Sequence, residues 1–596
     1  MSIRKRSTVA VLAVGVLALT GACAKGGGGG TPADAGNPSG AASDRGPSAN
    51  TAPKITIGTA DDSKGPAIAP EGVVKGGTIT MIDRDDYAHL DPGRIYSNTE
   101  GNFALVYARQ LTGYKRIAKN DYKLVGDLAT DTGQVSDGGK TWKFTLKDGV
   151  KWQDGTPITS GDVKWSIERL FASYSTEGAP YVQQWLTQEN YKKAYKGPYD
   201  GKHLDNVETP DDKTIVFKFK EPHADANFAL AMTTYGIVPK AKDTKEKYDK
   251  EPFSSGPYII ANHVTDKSMD LERNPNWDPA TDPIRGAYPD KWHLEFGYQA
   301  LQVTDRFIAD AGDDKKTFSF YTHVAPERLQ QVLSDPALKP RLLSQPSPYA
   351  DYYYFNLDRV KDIKIRQAIN YAWPAKQIQQ IGGGPASSVI STTILNPTLA
   401  GYQEYDLFNK RAKPEGDVEK AKELLAQSSN PHPTIVYAYN QTPTQERVTV
   451  AIKTALEKAG INVVAKPLNP KTWYDSVTKI DNGFDIYWGG WGADWPNAAT
   501  VFPVIFGPVV EGGQNVSHLK DPEIEAEIKR IQGMSDANEA NKAWGALDKT
   551  IMEKVTPLIP DVNSISNQLN GSLIGGAEID PISWVVSPNT IFVKQQ

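Results

Sequence analysis

The sequence predicts an α/β protein built as two lobes, and three observations support this prediction. With 596 residues, the chain is too long for one ordinary hydrophobic core. Its first half reads as short alternating strands joined by turns, as in residues 141–146 and 214–220. Its second half changes to strand, helix and strand, which is typical of a parallel α/β unit. The cleft between two such lobes is the default position for a binding site.

The first half begins, after two glycines, with an alternating segment at residues 78–82 that predicts a strand. A Leu-Asp-Pro-Gly turn follows at residues 90–93. Thr159 with Asp162 three residues later is typical of a capped helix start. The glycines before Lys140 imitate a phosphate-binding loop, but they lead into a strand, so we expect a hairpin turn there.

The second half contains the parallel unit. Residues 435–439 predict a strand, and the next helix presents one apolar face, residues 448–459, and ends at Gly460. Strands are expected again at residues 461–468 and 484–488.

Charge and composition narrow the functional classes. The 66 basic and 71 acidic residues give a net charge of -5, without a dense basic block in the body of the chain. Nucleic-acid binding therefore has no electrostatic support, and we expect no nucleic-acid partner. The chain is rich in tryptophan, with 13, and such residues either fill cores or stack against ligands.

The N-terminus predicts export and lipid anchoring. Basic residues 4–6 precede an apolar run at 9–19 that is too short for a permanent membrane helix, so residues 1–22 predict a signal peptide. Small residues precede Cys23, the only cysteine, as in a bacterial lipobox, although Leu19 stands one position further back than usual. We expect Cys23 to be lipidated and residues 23–75, which are rich in Gly, Ser, Ala and Pro up to about residue 69, to form a flexible linker.

The sequence lacks several common catalytic and metal-binding motifs that are built on histidine, cysteine or serine. The eight histidines never have the spacing of a helical metal pair, and no H-E-x-x-H, C-x-x-C or G-x-S-x-G motif occurs. A single cysteine cannot build a thiolate metal site. We therefore expect no enzyme, no metal and no cofactor.

A series of segments, in order along the chain, resembles the solute-binding proteins of peptide, dipeptide and nickel ABC importers (extracellular solute-binding protein family 5). The segments are 137–142, 149–157, 161–163, 255–258, 273–275, 355–356 with 365–369, 419–425 and 558–560. Most of these residues belong to turns, caps and core positions, and none of them is assigned to the ligand.

This resemblance implies a two-lobed, periplasmic-binding-protein-like clamp with a hinge of two crossing strands and an extra subdomain inserted in lobe I. The closed form would be recognised by a membrane permease. The implied boundaries are lobe I at 76–99, 236–325 and 557–596, the insert at 100–235, and lobe II at 326–556.

The resemblance also implies a ligand site on the segment 487–495. Asp494 matches the acid that takes the α-ammonium of a bound peptide, because a cation between lobes needs a fixed counter-charge. Glycines 490 and 492 would let the peptide backbone approach, and tryptophans would line side-chain pockets. The residues implied to bind substrate are Asp494, Gly490, Gly492, Trp491, Trp495, Trp473, Trp488, Tyr96, Ser97, Asn98 and Lys479.

Several alternatives stay open at this point. Asp494 also fits a turn cap, the tryptophans fit core packing, and Tyr96–Asn98 fits a surface loop. Some oligopeptide binders carry an arginine at the position of Trp488, so the anchor for a ligand carboxylate is undefined, and Lys479 is one candidate. An oligosaccharide or metal chelate is the alternative cargo to an oligopeptide. The implied partners are an ABC permease and ATPase, with the binding protein acting as an extracytoplasmic, membrane-anchored monomer.

Overall fold

A computed structural model describes residues 53–595, apart from residue 176 and residues 188–190, 470–471, 510–512 and 535–536. The strands are β1 (Lys54–Ile57), β2 (Thr78–Ile82), β3 (Thr112–Ala118), β4 (Asp121–Gly126), β5 (Gln134–Ser136), β6 (Thr141–Thr145), β7 (Val207–Asp211), β8 (Thr214–Lys218), β9 (Tyr258–Val264), β10 (Ser268–Arg273), β11 (Lys291–Glu295), β12 (Thr317–Phe318), β13 (Leu342–Phe355), β14 (Ser388–Ile390), β15 (Thr434–Asn440), β16 (Asn462–Leu468), β17 (Ile486–Gly492), β18 (Leu558–Leu569), β19 (Ile574–Gly575) and β20 (Phe592–Val593). The helices are α1 (Asn98–Ala104), α2 (Ser160–Arg169), α3 (Tyr181–Thr187), α4 (Tyr191–Ala194), α5 (Ala226–Ala229), α6 (Ala300–Ala309), α7 (Pro326–Ser334), α8 (Ile363–Ala372), α9 (Ala375–Ile381), α10 (Val418–Ala426), α11 (Pro443–Lys458), α12 (Trp473–Val477), α13 (Phe502–Ile505), α14 (Pro522–Gln532) and α15 (Ala537–Lys554).

Lobe I is organised around a mixed sheet with the strand order β12-β2-β11-β10-β9. β2 runs parallel to β11 and β12, whereas β9, β10 and β11 form an antiparallel meander. The strand predicted at residues 78–82 is confirmed, and its alternation places Ile79 and Met81 in the core. Trp292 of β11 packs in the same buried cluster.

The inserted subdomain has its own antiparallel sheet, with the order β5-β6-β8-β7. Alternation in β6 buries Trp142 and Phe144 against the strand β8. Helix α2 begins with the predicted capping box, in which Thr159 and Asp162 each accept a hydrogen bond from the other's backbone N–H. Residues 137–139 form the tight turn between β5 and β6, so the hairpin prediction is confirmed.

Lobe II contains the parallel unit that the sequence predicts. Its sheet has the order β14-β18-β13-β17-β15-β16, and β15 runs parallel to both β16 and β17. Helix α11 connects β15 to β16 and buries Val448, Ile452 and Leu456. Residue Gly460 follows the helix with φ of 92°, a conformation that favours glycine.

The lobes are joined by two long antiparallel strands, β13 and β18. At one end Leu342 pairs with Leu569, which packs in a cluster with Ile82 of lobe I. At the other end Tyr354 pairs with Leu558, and both lie in the core of lobe II. The register shifts between Pro346 and Ala350, midway between the two cores. This arrangement is the implied hinge of two crossing strands.

The predicted flexible linker is too long at its C-terminal end. Residues Lys54–Ile57 form β1, which pairs in parallel with β4. Ser63 is fully buried, and its hydroxyl accepts a hydrogen bond from the backbone N–H of Gly126. Composition alone misassigned this stretch because the short alternating segment 54–57 directly follows a low-complexity region. The linker residues before 53 lie outside the described residues.

Two regions near the predicted domain boundaries also pack with lobe I, although they are predicted to belong to the insert and to lobe II. Phe103 and Tyr107, assigned to the insert by the resemblance, lie in the lobe I core, whereas the core of the insert begins at Leu111. Leu329 of α7, assigned to lobe II, packs in a cluster with Phe307 of α6. A short connecting helix can pack on either side of a hinge, and sequence matches do not distinguish the two.

Candidate functional site

Asp494 lies two residues beyond the end of β17, and its carboxylate meets two other parts of the chain. The hydroxyl of Tyr96 in lobe I donates a hydrogen bond to Oδ2 at 3.2 Å. Tyr181 of the insert donates a second hydrogen bond to the same oxygen. The backbone N–H of Asp494 donates to Oγ1 of Thr500 at 3.0 Å, which fixes the turn. The side chain therefore faces the gap between the lobes.

The Asp494 carboxylate has no cationic partner among the residues that the structure describes. Its Oδ1 atom accepts no hydrogen bond from that part of the chain either. Burial raises the pKa of Asp494 to about 6, although the hydroxyl groups of Tyr181 and Tyr96 lower it. A positive charge bound next to this carboxylate would therefore stabilise its ionised form.

A cavity of about 130 Å³ opens beside this carboxylate. Its wall on the lobe II side includes Tyr349, Gly492 and Asp494, whereas most of the remaining lining comes from lobe I and the insert. Tyr96, Ser97 and Asn98 also line it, so the site expected on lobe I and the site expected on lobe II meet at one cavity.

The segment Tyr96–Asn98 is held by the start of helix α1. Ser97 caps the helix, because its Oγ accepts a hydrogen bond from the N–H of Glu100. Asn98 donates from Nδ2 to the hydroxyl oxygen of Tyr349 at 2.6 Å. This hydrogen bond joins lobe I to strand β13.

Strand β17 offers an open edge next to Asp494. On one side β17 pairs with β13 from Ile486 to Gly492, but on the other side β15 reaches only Ile486 and Tyr487. Within the part of the chain that the structure describes, no strand pairs with the second edge of residues 488–492. These backbone groups are available to an added strand.

The glycines of β17 are required by packing inside lobe II as well. A Cβ atom at Gly492 would lie 2.6 Å from the ring of Tyr349, and one at Gly490 would lie 2.9 Å from the carbonyl oxygen of Ala350. The missing side chains thus accommodate the neighbouring strand β13. Close approach of a ligand is not needed to explain them.

The tryptophans expected to line pockets lie in different surroundings. Trp473 is 1% exposed within the lobe II core, so it does not face the cavity. Trp491 donates from Nε1 to the carbonyl oxygen of Thr500 at 2.8 Å and packs against the same core. Trp488 packs against two lobe II clusters.

Trp495 and Lys479 also lie away from the cavity lining. Trp495 is 3% exposed, and its ring meets the edge of Tyr181 at 5.0 Å between centroids, so it packs between lobe II and the insert. Lys479 is exposed on the turn after α12.

Two residues of the site have no signal in the sequence. Tyr181 follows a proline in the insert, and nothing local distinguishes it from other surface tyrosines. Asp580 lines the same cavity as Asp494 although 85 residues of chain intervene. Only the folded chain brings these groups together. Among the described residues, no group of His, Cys, Asp and Glu is arranged to hold a metal ion.

These features are typical of a two-lobed binding protein, with a hinge of two strands and a candidate ligand site between the lobes. Residues 123–512 match the family described as Bacterial extracellular solute-binding proteins, family 5 Middle, and the chain belongs to that family. The family resemblance inferred from the sequence is therefore confirmed. The relatives are solute-binding proteins and not enzymes, and this chain is a solute-binding protein.

Several known proteins can be aligned with most of this chain. The periplasmic oligopeptide-binding protein OppA of Salmonella typhimurium is 24% identical over 477 residues, which cover 76% of this chain and 82% of OppA. The solved structure named clavulanic acid biosynthesis oligopeptide binding protein 2 is 26% identical, with a TM-score of 0.81 over 92% of this chain and 100% of that chain. OppA of Haemophilus influenzae in complex with RPPGFSPFR is 18% identical, with a TM-score of 0.68 over 88% of this chain and 100% of that chain. The likeness to the last shows the fold alone.

Proposed function

We propose that the protein is the substrate-binding lipoprotein of an ABC importer, and that it captures oligopeptides between its lobes. The observation that supports this most directly is the Asp494 carboxylate, which lies in the interlobe gap and has no cationic partner among the residues described. The α-ammonium group of a peptide is the partner that neutralises it. The names of the relatives, which include oligopeptide-binding proteins, support the same class of cargo.

The peptide backbone would pair with the open edge of β17. Residues 488–492 offer main-chain N–H and C=O groups beside Asp494, and strand addition satisfies such groups without reading side chains. With its ammonium group at Asp494 and its backbone paired with β17, the bound peptide would run in one defined N-to-C direction. Tyr96 and Asn98 would close over it from lobe I.

Delivery follows from closure of the clamp. Ligand contacts from both lobes favour the closed form, and a permease that binds the closed form better would then receive loaded protein. The proposed partners are therefore an ABC permease and its ATPase, with the binding protein acting as a monomer outside the cytoplasm.

The lipid anchor is part of this proposal. The signal peptide and Cys23 lie outside the described residues, and no helix within the described part of the chain has the length and apolar character to cross a membrane. Replacement of Cys23 by alanine should release the protein from the membrane fraction into the medium. Retention of this variant on membranes would contradict the anchor.

A thermal-shift experiment tests the cargo. Tri- to hexapeptides at 100 times their dissociation constant should stabilise the protein by about 2.7 kcal/mol. The same peptides with an acetylated N-terminus lack the ammonium and should give no shift. The variant Asp494→Ala should lose the shift with free peptides. If cellobiose or a nickel chelate stabilises the protein and peptides do not, the peptide assignment is wrong.

A further inference from the structure

The cavity beside Asp494 contains a second buried acid. Asp580 lines this cavity and is 8% exposed. The N–H groups of Ile582 and Ser583 donate to its Oδ1 atom at 2.8 and 3.0 Å, which holds the carboxylate in place.

No cation in the described part of the chain pairs with Asp580. The nearby Arg116 forms an ion pair with Glu578. The negative charge of Glu578 acts in the same direction as burial and raises the pKa of Asp580. Burial raises the pKa of Tyr114, which also lines the cavity, and the negative charge of Asp580 raises it further. Burial and the charge of Glu578 thus disfavour the ionised form of Asp580, whereas the N–H groups of Ile582 and Ser583 favour it. A cation in the cavity would stabilise the ionised form further.

The remaining lining suits a long side chain with an apolar stem. Ile95, Leu105, Met232 and Ile284 contribute apolar side chains to the lining. A cavity of about 130 Å³ is similar in volume to an engineered cavity of about 150 Å³ that binds benzene. A lysine side chain, with four methylene groups and one ammonium, is of the same scale, and its stem packs against apolar surface while its charge seeks a polar group.

We propose that this cavity takes the side chain of the ligand's first residue, and that Asp580 selects a long cationic side chain there, with lysine the better match in size. The inference rests on the proposed function, because the α-ammonium at Asp494 makes the adjoining side chain the first one. Asp494 would then recognise every free peptide N-terminus, whereas Asp580 would distinguish among first residues.

The neighbouring residue Gln110 suggests the strongest alternative to lysine, which is a ligand side chain with a carboxamide group. Gln110 is 1% exposed and lines the cavity, and its Oε1 accepts from Arg285 at 3.2 Å. Its Nε2 atom has no hydrogen-bond partner in the part of the chain that the structure describes. A carboxamide could accept from Gln110 and donate to Asp580 at once. A peptide that begins with glutamine is therefore the most informative comparison with lysine.

Calorimetric titration of the purified protein with Lys-Ala-Ala, Gln-Ala-Ala and Leu-Ala-Ala tests the inference. A glutamine or leucine side chain would leave the Asp580 carboxylate buried without a cation, which is costly. The lysine peptide should therefore bind about 30-fold more tightly than the other two. The variant Asp580→Asn keeps an acceptor for Ile582 and Ser583, and its melting temperature shows whether it folds. In this variant the preference for lysine should fall below about threefold.

The outcomes separate the two proposals. Equal binding of the three peptides to the wild-type protein, a preference for glutamine, or a lysine preference that survives Asp580→Asn would overturn the inference while leaving peptide binding intact. Binding of no peptide at all would overturn the proposed function together with the inference. Asp494→Ala, which should bind none of the three, identifies the contribution of the ammonium.

Discussion

The hydroxyl group of Tyr96 lies 3.2 Å from Oδ2 of Asp494 and donates a hydrogen bond to it across the gap between the lobes. Asn98 of lobe I donates a further hydrogen bond to the hydroxyl oxygen of Tyr349 on strand β13, at 2.6 Å. These hydrogen bonds across the gap are made by groups that also line the cavity. Under the proposed function, the same side chains would serve both closure and ligand recognition.

Replacement of Tyr96 by phenylalanine should open the empty clamp. A hydrogen bond to a charged group contributes about 1.5–3 kcal/mol, so its loss shifts the equilibrium between closed and open forms by at least about tenfold. Small-angle X-ray scattering should show a larger radius of gyration for the variant without peptide. Tyr371→Phe is the matched control, because that hydroxyl bonds to Leu407 within lobe II. Equal radii for Tyr96→Phe and the wild-type protein would contradict the prediction.

Peptide affinity should weaken in acid because Asp494 must be ionised to bind an ammonium. The pKa of this carboxyl in the ligand-free protein is about 6, so roughly nine tenths is ionised at pH 7 and one tenth at pH 5. The apparent dissociation constant should therefore rise about tenfold between these values. Tyr96 and Tyr181, which face the carboxyl, stay neutral throughout, since burial raises both pKa values.

The peptide α-amino group, with an ordinary pKa of about 8, also stays protonated over this range. Titration calorimetry at several pH values measures the effect. The residual binding of Asp494→Asn should show no such pH dependence between pH 5 and 7. A wild-type affinity that stays constant over this range would show that Asp494 is not the titrating contact.

The same acid should make the empty protein less stable at neutral pH. Its pKa is about 6 when folded and 3.8 in its ordinary state, so the folded form binds more protons between these values. Stability is then lost as the pH rises from about 4 to about 6, and the full cost of about 3 kcal/mol is present above pH 6.

Urea unfolding of Asp494→Asn and the wild-type protein, without peptide, measures this cost. The variant can still accept hydrogen bonds from Tyr96 and Tyr181, so the charge is the main change. The two proteins should be about equally stable near pH 4, and the variant should be more stable by about 2–3 kcal/mol at pH 7. A variant that is less stable at pH 7 would contradict the prediction.

The sequence predicted those parts of the fold whose signals are local. The unit β15-α11-β16 follows from the change of hydrophobic period between residues 434 and 468, and the start of α2 follows from Thr159 and Asp162. Strand β1 was missed because its stability comes from pairing with β4, far along the chain, and not from its own composition.

The site shows the same division. Asp494 and Tyr96 are predicted to belong to the candidate site only through their resemblance to a family pattern. Tyr181 and Asp580 were not, since no local pattern marks a residue that becomes important by converging with others in space. Trp473 shows the opposite case, because an aromatic residue near a ligand segment and one in a core look alike in sequence.

Ser63→Ala should destabilise the protein, because the segment after residue 53 is part of the folded body. The Ser63 hydroxyl accepts from the N–H of Gly126 at 2.9 Å and donates to the carbonyl oxygen of Thr59 at 2.9 Å. Its removal leaves a buried N–H without a partner, at a cost of about 1–3 kcal/mol. Urea unfolding measures the loss. Ser48→Ala, in the predicted linker, is the control and should unfold like the wild-type protein.

Alanine substitutions at two glycines of β17 should separate packing from binding. At Gly489 a Cβ atom would lie 2.6 Å from the ring of Tyr354, which is buried in the lobe II core. At Gly492 it would lie 2.6 Å from the ring of Tyr349, whose hydroxyl accepts from Asn98 of lobe I. Both variants should lose about 1–3 kcal/mol of stability from overpacking.

Only Gly492→Ala displaces a ring that also lines the cavity, so only this variant should bind peptide more weakly than its loss of stability predicts. Urea unfolding gives the stability of both variants, and calorimetric titration at a temperature where both are folded gives the affinity. If the two variants lose affinity equally, lobe II responds to overpacking as a whole. Tyr349 would then have no separate part in closing the clamp.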